Sequence, residues 1–449
     1  MSLLLDASAL AAHPERLIDA ALRAGADAAD ALAVRSISLS VEVRENAVEE
    51  SERSEGDDFG LRVFVGRRQA VISTSDLNMD ACELAERALA MARATPEDPF
   101  AGLADKSELA REIPDLDLLD PVLPSVAQLE QRAKRAEAAA LAIKGVTKSG
   151  GAGAYSGISG MVLATSSGFR GSYTSSFHSV SMMAIAGEGT AMERDYDFSS
   201  VLHAADLESS EQIGRTAGER SVARVNPRKI ETKRVPVVFD RRVSGSLVGH
   251  LAGAINGAAV ARGTSFLKQK LGQRLFKPGI RIVDDPLRRR GLRSRPFDAE
   301  GVATKALAVI DDGLLKSWFL DCATARELGL ATTGHAQRGV ASNPGPSPSN
   351  LHLAPGTDSA DALVADIEEG FYVTDLIGSG VNLVTGDYSR GASGFWIVRG
   401  QRSYPVSEVT VAGNLTEIFQ NLLPANDLEF RFGTNAPTLR VEGLTVGGR

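Results

Sequence analysis

A long alternation of apolar and polar residues is the feature of this sequence that most constrains its fold. It runs over SISLSVEVRENAVEESERSEGDDFGLRVFVGRRQAVISTSDL, residues 36–77, with a Gly-Arg-Arg turn after Val65. Side chains on a strand point alternately to the two faces of a sheet, so this period of two predicts half-buried strands. A short turn between two such runs predicts that the strands are antiparallel. We therefore expect an antiparallel meander near the N-terminus.

Four segments with helical spacing surround these strands. Each repeats its apolar residues every three or four positions, which places them on one face of a helix. The spacing predicts helices over His13–Val34, Asp76–Thr95, Ser125–Ile143 and Leu207–Val225. Ser125 stands where an N-terminal cap is expected, because its hydroxyl can accept a backbone hydrogen bond from the first turn.

Short strands dominate the second half of the sequence. Val235–Phe239 is a continuous apolar run that predicts a buried strand, and the Asp312-Gly313 pair predicts a tight hairpin. The fold class is therefore α+β, with an N-terminal α/β region of helices and meander followed by a large, mainly antiparallel β domain with a few helices. We predict an N-terminal helix and meander domain, a middle helix and strand domain, and a C-terminal β-rich domain over residues 1–115, 116–230 and 231–449.

Charge and composition argue against several functional classes. The net charge of −8 argues against general nucleic-acid binding, because phosphate backbones require clustered Lys and Arg. The two cysteines, Cys82 and Cys322, form no disulfide framework and suit a reducing compartment. The N-terminus lacks the basic and apolar regions of a signal peptide, and no apolar run approaches the ~20 residues that span a bilayer. We expect a soluble, cytoplasmic protein that binds no membrane.

Two charged runs each allow two interpretations. Between Glu42 and Asp58 there are eight acidic residues and two arginines. This stretch is either a solvated strand face and loop or a docking surface for a basic partner or peptide. The run RRRGLRSR, residues 288–295, holds five arginines and is either a solvated loop or a docking patch.

Standard catalytic signatures are missing from the sequence. There is no phosphate-binding loop and no G-x-S-x-G elbow, although GDYSRGASG, residues 386–394, has a similar composition. Ser389 has no obvious base partner, so this segment is more simply a turn or strand edge that offers backbone N–H groups. The six histidines are scattered, and convergence of Cys322, His335 and His352 on one metal would need long-range folding.

One helical segment raises a more specific question. RRVSGSLVGHLAGAINGAAVARGTSF, residues 241–266, places a lone histidine, His250, among small apolar residues. The segment is either a helix that packs tightly in a core or the remnant of a catalytic helix.

From Val235 onward the sequence resembles the TldD/PmbA family, also described as modulators of DNA gyrase. The resemblance rests on the segment 235–272 around His250, on IVDDP, PFDAEGV and LDCATARELGLATTGHAQRG, and on NLVTGDYSRGASGFWIVRG and YPVSEVTVAGNL. AGADAADA and RATPEDPFAGLAD extend it into the N-terminal half. The family has a TldD branch, zinc peptidases with an HExxxH helix, and a TldE (PmbA) branch that lacks the metal and pairs with TldD.

The resemblance implies the branch to which the chain belongs. With RGTSF, residues 262–266, as the anchor, the family's first His, its Glu and its second His fall on Val248, Gly249 and Gly253. The degenerate helix lies in the C-terminal domain. The resemblance therefore implies a TldE/PmbA-like subunit that needs no cofactor, with zinc in a TldD-like partner only. It further implies small or unfolded peptides as substrates, and the chain could form a homodimer when alone.

The same resemblance gives the candidate site residues. No catalytic or metal-binding residue is expected in this chain, so whether it is an enzyme by itself stays open. The candidates for a peptide channel are His250, Gly386, Asp387, Ser389, Arg390 and Gly391. For His250 we expect a hydrogen bond within the core, with a position facing the enclosed space as the alternative, because a buried imidazole without a partner costs ~1–3 kcal/mol.

Two other functions stay open at the level of the sequence. One is a non-proteolytic binding or regulatory protein, for instance of DNA gyrase. The other is a self-sufficient hydrolase that uses Ser389 or a metal at Cys322 and His335.

Overall fold

A computed structural model describes residues 7–76 and 78–448, and its N-terminal half is built on one six-stranded antiparallel sheet. The sheet has the strand order β3-β2-β1-β4-β5-β6. The elements of this half are α1 (Ala7–Arg23), β1 (Ala28–Arg44), β2 (Ala47–Val65), β3 (Arg68–Thr74), α2 (Ala81–Ala94), α3 (Val126–Leu141), β4 (Val146–Thr165), β5 (Arg170–Ala186), β6 (Glu193–Val201) and α4 (Ser210–Ala223). The predicted meander is confirmed as β1, β2 and β3.

The predicted first helix is wrong in its second half. α1 ends at Arg23, Gly25 has a positive φ of 102°, and β1 begins at Ala28. Alanine at every second position of β1, as at Ala29 and Ala31, buries a small side chain under the helices. An alanine-rich segment fits either period, and pairing with β2 decides for the strand.

The four helices cover one face of this sheet. α1 and α2 pack over the β3 side, and α3 and α4 pack over the β5 side. Ser125 caps α3 as predicted, in a reciprocal arrangement with Gln128. β1 pairs with β4 from Asp30 to Val43, so the sheet runs without a break across the boundary predicted at 115/116.

The C-terminal part is rich in short strands and closes into a barrel. Its elements are β7 (Lys233–Phe239), α5 (Arg241–Ala254), α6 (Gly257–Ala261), β8 (Ile282–Asp284), β9 (Leu307–Asp311), β10 (Leu314–Leu315), α7 (Cys322–Glu327), β11 (Ala336–Gln337), β12 (Gly345–Pro346), β13 (Leu351–Leu353), α8 (Ala362–Ala365), β14 (Glu369–Ile377), β15 (Asp387–Val398), β16 (Gln401–Asn414), α9 (Leu415–Asn421), β17 (Leu422–Pro424), β18 (Thr434–Asn435) and β19 (Leu439–Gly447). The largest sheet has the order β16-β15-β14-β7-β19-β17, and a further pairing of β16 with β19 closes it. The α+β class is therefore confirmed.

The second face of the N-terminal sheet contacts the C-terminal part. Phe297 packs edge-on against Phe169, with ring centroids 5.1 Å apart. Gly60 lies so close to the next segment that an added Cβ would sit 2.0 Å from the carbonyl oxygen of Val340. Only a residue without a side chain allows this approach, so the docking of the two halves depends on Gly60.

Among the described residues, one stretch of β2 has a neighbouring strand on one side only. β3 pairs with β2 only from Phe59 onward, so residues 47–58 pair with β1 alone within the described chain. Six of these residues are acidic, and nearly all of the stretch is exposed. This exposure agrees with a solvated strand face, one of the two interpretations of the acidic run, and leaves the docking surface open.

The described helices also bear on membrane topology. None of them in residues 7–76 and 78–448 combines the length and the apolar character that a bilayer crossing requires.

Candidate functional site

The helix α5 is held directly after the buried strand β7. Asp240 caps it by accepting a hydrogen bond from the backbone N–H of Arg242 at 3.0 Å, and the hydroxyl of Tyr372 donates to the same carboxylate. Leu247 and Leu251, four residues apart, lie on the buried face of α5 in the main hydrophobic core. The segment predicted from 241 to 266 thus forms two helices, since α5 ends at Ala254 and α6 follows.

The three positions aligned with a zinc motif have different surroundings. Val248 is only 2% exposed and belongs to the hydrophobic core. A Cβ added at Gly249 would meet no atom within 4 Å, so this position faces open space. A Cβ added at Gly253 would lie 2.9 Å from Cδ1 of Leu383.

A cleft of about 680 Å³ lies over the open side of α5. Gly245, Ser246 and Gly249 of α5 line it, and the N-terminal sheet contributes Phe177 and Tyr196. Its charged lining consists of Arg242, Arg293, Arg390, Arg431 and Asp375. Aromatic surface and arginines therefore meet over the glycine-rich face of the helix.

Two of the arginines are fixed by buried carboxylates. Arg242 makes two hydrogen bonds to Asp195, at 2.7 and 3.0 Å. Burial raises the pKa of Asp195, but the hydrogen bonds and charge of Arg242 outweigh it, so the net pKa lies below its ordinary value. Arg431 contacts the buried carboxylate of Asp197 at 3.4 Å and the exposed carboxylate of Glu208 at 2.9 Å. The bridges join the C-terminal part to β6 and set one wall of the cleft.

His250 lies beside this cleft but does not line it. Its ring packs edge-on against Tyr388, with centroids 5.9 Å apart, and its Nε2 atom is buried without a hydrogen-bond partner in the described residues. Burial, together with the nearby Arg390 guanidinium, lowers the pKa of His250 to about 4. The predicted core hydrogen bond is therefore wrong, and the ring is held by aromatic packing as a neutral group.

The segment 386–394 is not a free strand edge. β15 pairs with β16 along one side from Asp387 onward, and β14 pairs along the other side from Gly391 onward. Before Gly391 that second side is covered by chain, since the N–H of Ser389 donates to the carbonyl of Gly380 at 2.7 Å. The strand edge with available backbone N–H groups, one of the two forms expected for this segment, is therefore wrong.

Only one of the six peptide-channel candidates lines the cleft, and that residue is Arg390. Gly386 is buried next to Asn414. The carboxylate of Asp387 accepts hydrogen bonds from Thr385 and Asn414. Ser389 is exposed and forms no hydrogen bond to a histidine within residues 7–76 and 78–448.

The three residues considered for a metal do not converge. The ring of His335 is hydrogen-bonded to Asp284 through Nε2 and to Thr333 through Nδ1. The ring of His352 packs against Phe430, with the ring centroids 5.0 Å apart. Cys322 is buried at the start of α7, where its backbone N–H donates to Glu300. No group of three His, Cys, Asp or Glu side chains in the described part of the chain has a geometry that could hold a metal ion.

A serine–histidine–aspartate arrangement exists elsewhere, and the sequence did not indicate it. The hydroxyl of Ser156 lies 2.8 Å from Nδ1 of His178, and Nε2 of that ring lies 3.5 Å from Asp120. Ser156 and His178 are both 0% exposed. Substrate cannot reach this serine, so the arrangement ties β4 to β5 and to the preceding loop.

Three models of known families match the chain in sequence order. They are described as PmbA/TldA metallopeptidase domain 1, central domain and C-terminal domain, and they match residues 29–92, 119–225 and 232–448. The metalloprotease PmbA of Escherichia coli O157:H7 is 37% identical over 426 residues, which cover 94% of this chain and 93% of that one. This chain belongs to the PmbA/TldD family.

Solved structures share the fold along the whole chain. A Bacteroides thetaiotaomicron protein described as a candidate modulator of DNA gyrase has a TM-score of 0.90 and 28% identity, over 97% of this chain and 98% of that chain. TldE from Thermococcus kodakarensis has a TM-score of 0.86 at 20% identity, over 97% and 99% of the two chains, which shows a shared fold. A metalloprotease TldD homologue from Haemophilus influenzae is 27% identical over 232 residues, 48% of each chain.

The family name implies a metal, and α5 of this PmbA/TldD family member does not fit one. A zinc site in a peptidase requires about three protein ligands and a carboxylate beside the bound water. Val248 offers a core side chain, whereas Gly249 and Gly253 offer none. The closest imidazole, His250, shares its surroundings with the positive charge of Arg390.

Proposed function

We propose that this chain is the metal-free subunit of a TldD–TldE type metallopeptidase. In this proposal a TldD-like partner holds zinc and cuts, and this chain helps to bind small or unfolded peptides. The observation that carries the proposal is α5, which forms the floor of an open cleft although Val248, Gly249 and Gly253 replace the groups that zinc chemistry needs. A helix that lines an open cleft but offers no metal ligands at these positions is suited to binding a peptide rather than to cleaving it.

The lining of the cleft supports a peptide as the bound molecule. Phe177 and Tyr196 are about 40% exposed although they are large aromatic residues, and both border the cleft. Exposed aromatic surface beside fixed polar groups is typical of binding sites. The arginines supply positive charge that complements carboxylates and backbone carbonyl groups, and they need no particular peptide sequence.

Reconstitution tests whether the partner cleaves peptides and this chain assists without cleaving. The chain alone, the TldD-like partner alone and an equimolar mixture are each incubated with unfolded casein and with a fluorogenic peptide. We expect cleavage by the mixture well above the sum of the two separate proteins, and no cleavage by this chain alone. Elemental analysis should find stoichiometric zinc in the partner and none in this chain. Cleavage by this chain alone, or zinc bound to it one-to-one, would contradict the proposal.

A variant that fills the cleft tests its role in the mixture. Gly249→Trp places an indole in the open space above α5 and should lower peptide cleavage by the mixture while leaving co-purification with the partner intact. Met91→Trp is the control, because Met91 is 45% exposed on α2, on the face of the sheet away from the cleft. Equal cleavage by both variants would show that peptides do not pass through this cleft.

A further inference from the structure

A second cavity lies between the two halves of the chain. It has a volume of about 590 Å³ and shares Phe177, Leu292 and Arg293 with the cleft over α5. Tyr173 of β5 forms part of one wall, and the arginine-rich run 288–295 enters the other wall. Cavities of 300–1,000 Å³ between structural units are the usual place for small ligands and cofactors.

Arg295 is a buried charge in this cavity that forms no ion pair with a carboxylate of the described residues. The residue is 8% exposed, and its Nη2 donates to the carbonyl of Ser347 at 2.8 Å. Its Nε is buried without an acceptor, and its Nη1 has no hydrogen-bond partner within residues 7–76 and 78–448. No acidic side chain of the described chain forms an ion pair with it. A buried charge without a counter-ion is costly, so this position is suited to an anion from outside.

The neighbouring ionisable groups have contacts that Arg295 lacks. Arg338 lines the same cavity and forms an ion pair with Asp30 at 2.6 Å through Nη1, although its Nε and Nη2 are buried without a hydrogen-bond partner in the described residues. The carboxylate of Asp298 accepts hydrogen bonds from three backbone N–H groups, those of Glu300, Val302 and Ala336. Arg295 therefore keeps its unneutralised charge inside a chain whose net charge is −8.

The other arginines of the run 288–295 have different roles. Arg289 and Arg290 bind Asp117 on the surface, and Arg288 stacks on Phe430. Arg293 is exposed and lines both cavities, with no ion-pair partner for its side chain among the described residues. The run is thus neither wholly a solvated loop nor a surface patch, because part of it points inward.

The cavity also offers a neutral donor. The Tyr173 hydroxyl has no hydrogen-bond partner in the described part of the chain, and its ring packs edge-on against Phe297 at 5.5 Å between centroids. Burial raises the pKa of the Tyr173 phenol, although the charge of Arg295 opposes the shift, so the phenol keeps its proton. A guanidinium and a phenol on the same cavity can donate to the two oxygens of one carboxylate.

We propose that the Arg295 cavity binds a carboxylate of the peptide that occupies the adjoining cleft. Arg295 provides the charge-assisted hydrogen bond, and Arg293 at the shared wall attracts the group from the cleft. The inference rests on the proposed function, because the peptide is the source of the carboxylate. That carboxylate is either the peptide's C-terminus or an Asp or Glu side chain, and the chemistry at Arg295 is the same for both.

Fluorescence anisotropy with one peptide in four forms tests the proposal. The probe is N-terminally labelled Gly-Ala-Phe-Glu-Ala, with a free or amidated C-terminus and with Glu or Gln at the fourth position. Removing the recognised carboxylate should raise Kd about tenfold or more, the effect of one charge-assisted hydrogen bond. Sensitivity to amidation identifies the C-terminus as the ligand, and sensitivity to Gln identifies the side chain. Equal binding of all four forms, or binding of none, would overturn the proposal.

Variants assign the effect to this cavity. Arg295→Gln should abolish the difference between acidic and neutral peptides, and Arg293→Gln should reduce it. Because Arg293 is exposed, its variant stays informative even if Arg295→Gln folds poorly, which a thermal melt reports. Arg281→Gln is the control, since Arg281 is 59% exposed in its side chain and lines neither cavity. An undiminished preference for the acidic peptide in both cavity variants would overturn the assignment.

The peptide-binding experiments and the reconstitution can fail independently of each other. If Arg295→Gln loses the preference for a carboxylate while the mixture with the TldD-like partner still cuts peptides, both proposals stand. Carboxylate-dependent binding without any stimulation of the partner would remove only the subunit role. Stimulation of the partner with no carboxylate dependence would remove only the Arg295 site.

Discussion

Gly249→Ala should stabilise the C-terminal part of the protein. An added Cβ at Gly249 meets no atom within 4 Å, so the substitution introduces no clash. Alanine in a helix interior is favoured over glycine by about 0.5–1 kcal/mol, because the unfolded glycine has more backbone freedom. With a urea m-value of about 2–3 kcal/mol/M, this gain shifts the unfolding midpoint upward by about 0.2–0.5 M.

Tryptophan fluorescence measures this shift selectively. The sequence has two tryptophans, Trp318 and Trp396, and both are buried in the C-terminal part. Urea unfolding followed at tryptophan excitation therefore reports the region that contains α5. A multi-domain chain need not unfold in one step, so this local signal is preferable to a global one.

Other glycines of the same helix provide the matched controls. An added Cβ at Gly245 would lie 2.8 Å from the carbonyl oxygen of Thr434, which belongs to the backbone and cannot easily move. Gly245→Ala should therefore lower the midpoint. Gly253→Ala meets a side-chain methyl of Leu383 at 2.9 Å and should fall between the two. A lower midpoint for Gly249→Ala, or a higher one for Gly245→Ala, would refute the described position of α5 under an open cleft.

Two further substitutions test ionisable side chains in the interior. Asp30→Asn should lower the free energy of unfolding by about 3–5 kcal/mol, because it leaves Arg338 buried without its carboxylate and leaves Arg62 with Glu300 alone, at 3.9 Å. Urea unfolding followed by circular dichroism checks this, with Glu55→Gln, exposed on β2, as a control that should change little. His250→Gln should lessen the loss of stability in acid. The pKa of His250 is about 4 in the folded protein and about 6.5 in the unfolded protein. As the pH falls, the unfolded state therefore binds the proton first, and the stability of the wild-type protein decreases between about pH 6.5 and 4. Tryptophan-detected urea titrations across this range measure the slope, and equal slopes for both proteins would contradict a buried neutral imidazole.

Local signals allowed part of the fold to be predicted. The period of two in the meander, the Ser125 cap and the Asp312-Gly313 turn depend on nearby residues only, and all three are present. Asp312 and Gly313 both have positive φ, at 47° and 75°, as this two-residue turn requires. The barrel was not predictable in the same way, because β16 and β19 pair residues such as Thr410 and Gly447 that no local pattern connects.

The candidate site was predictable only where a motif exists. The resemblance drew attention to Val248, Gly249 and Gly253, but the cleft over α5 is lined by Phe177 and Tyr196, which lie far away in sequence. The inward position of Arg295 depends on which neighbouring arginines find outside partners. That choice is made by tertiary contacts, so five similar residues could not be distinguished in the sequence.

The stretch of β2 that pairs with β1 alone in the described part of the chain, residues 47–58, also affects self-association of the protein. Its acidic side chains, three of which pair with arginines, give this edge an excess of negative charge that repels the same edge of a second molecule. Within the described residues the backbone N–H and C=O groups there have a strand on one side only. High salt screens this repulsion. Solutions at high salt should therefore form sheet-to-sheet aggregates first through this edge, and a strand from another protein would be favoured there if it carried lysines or arginines.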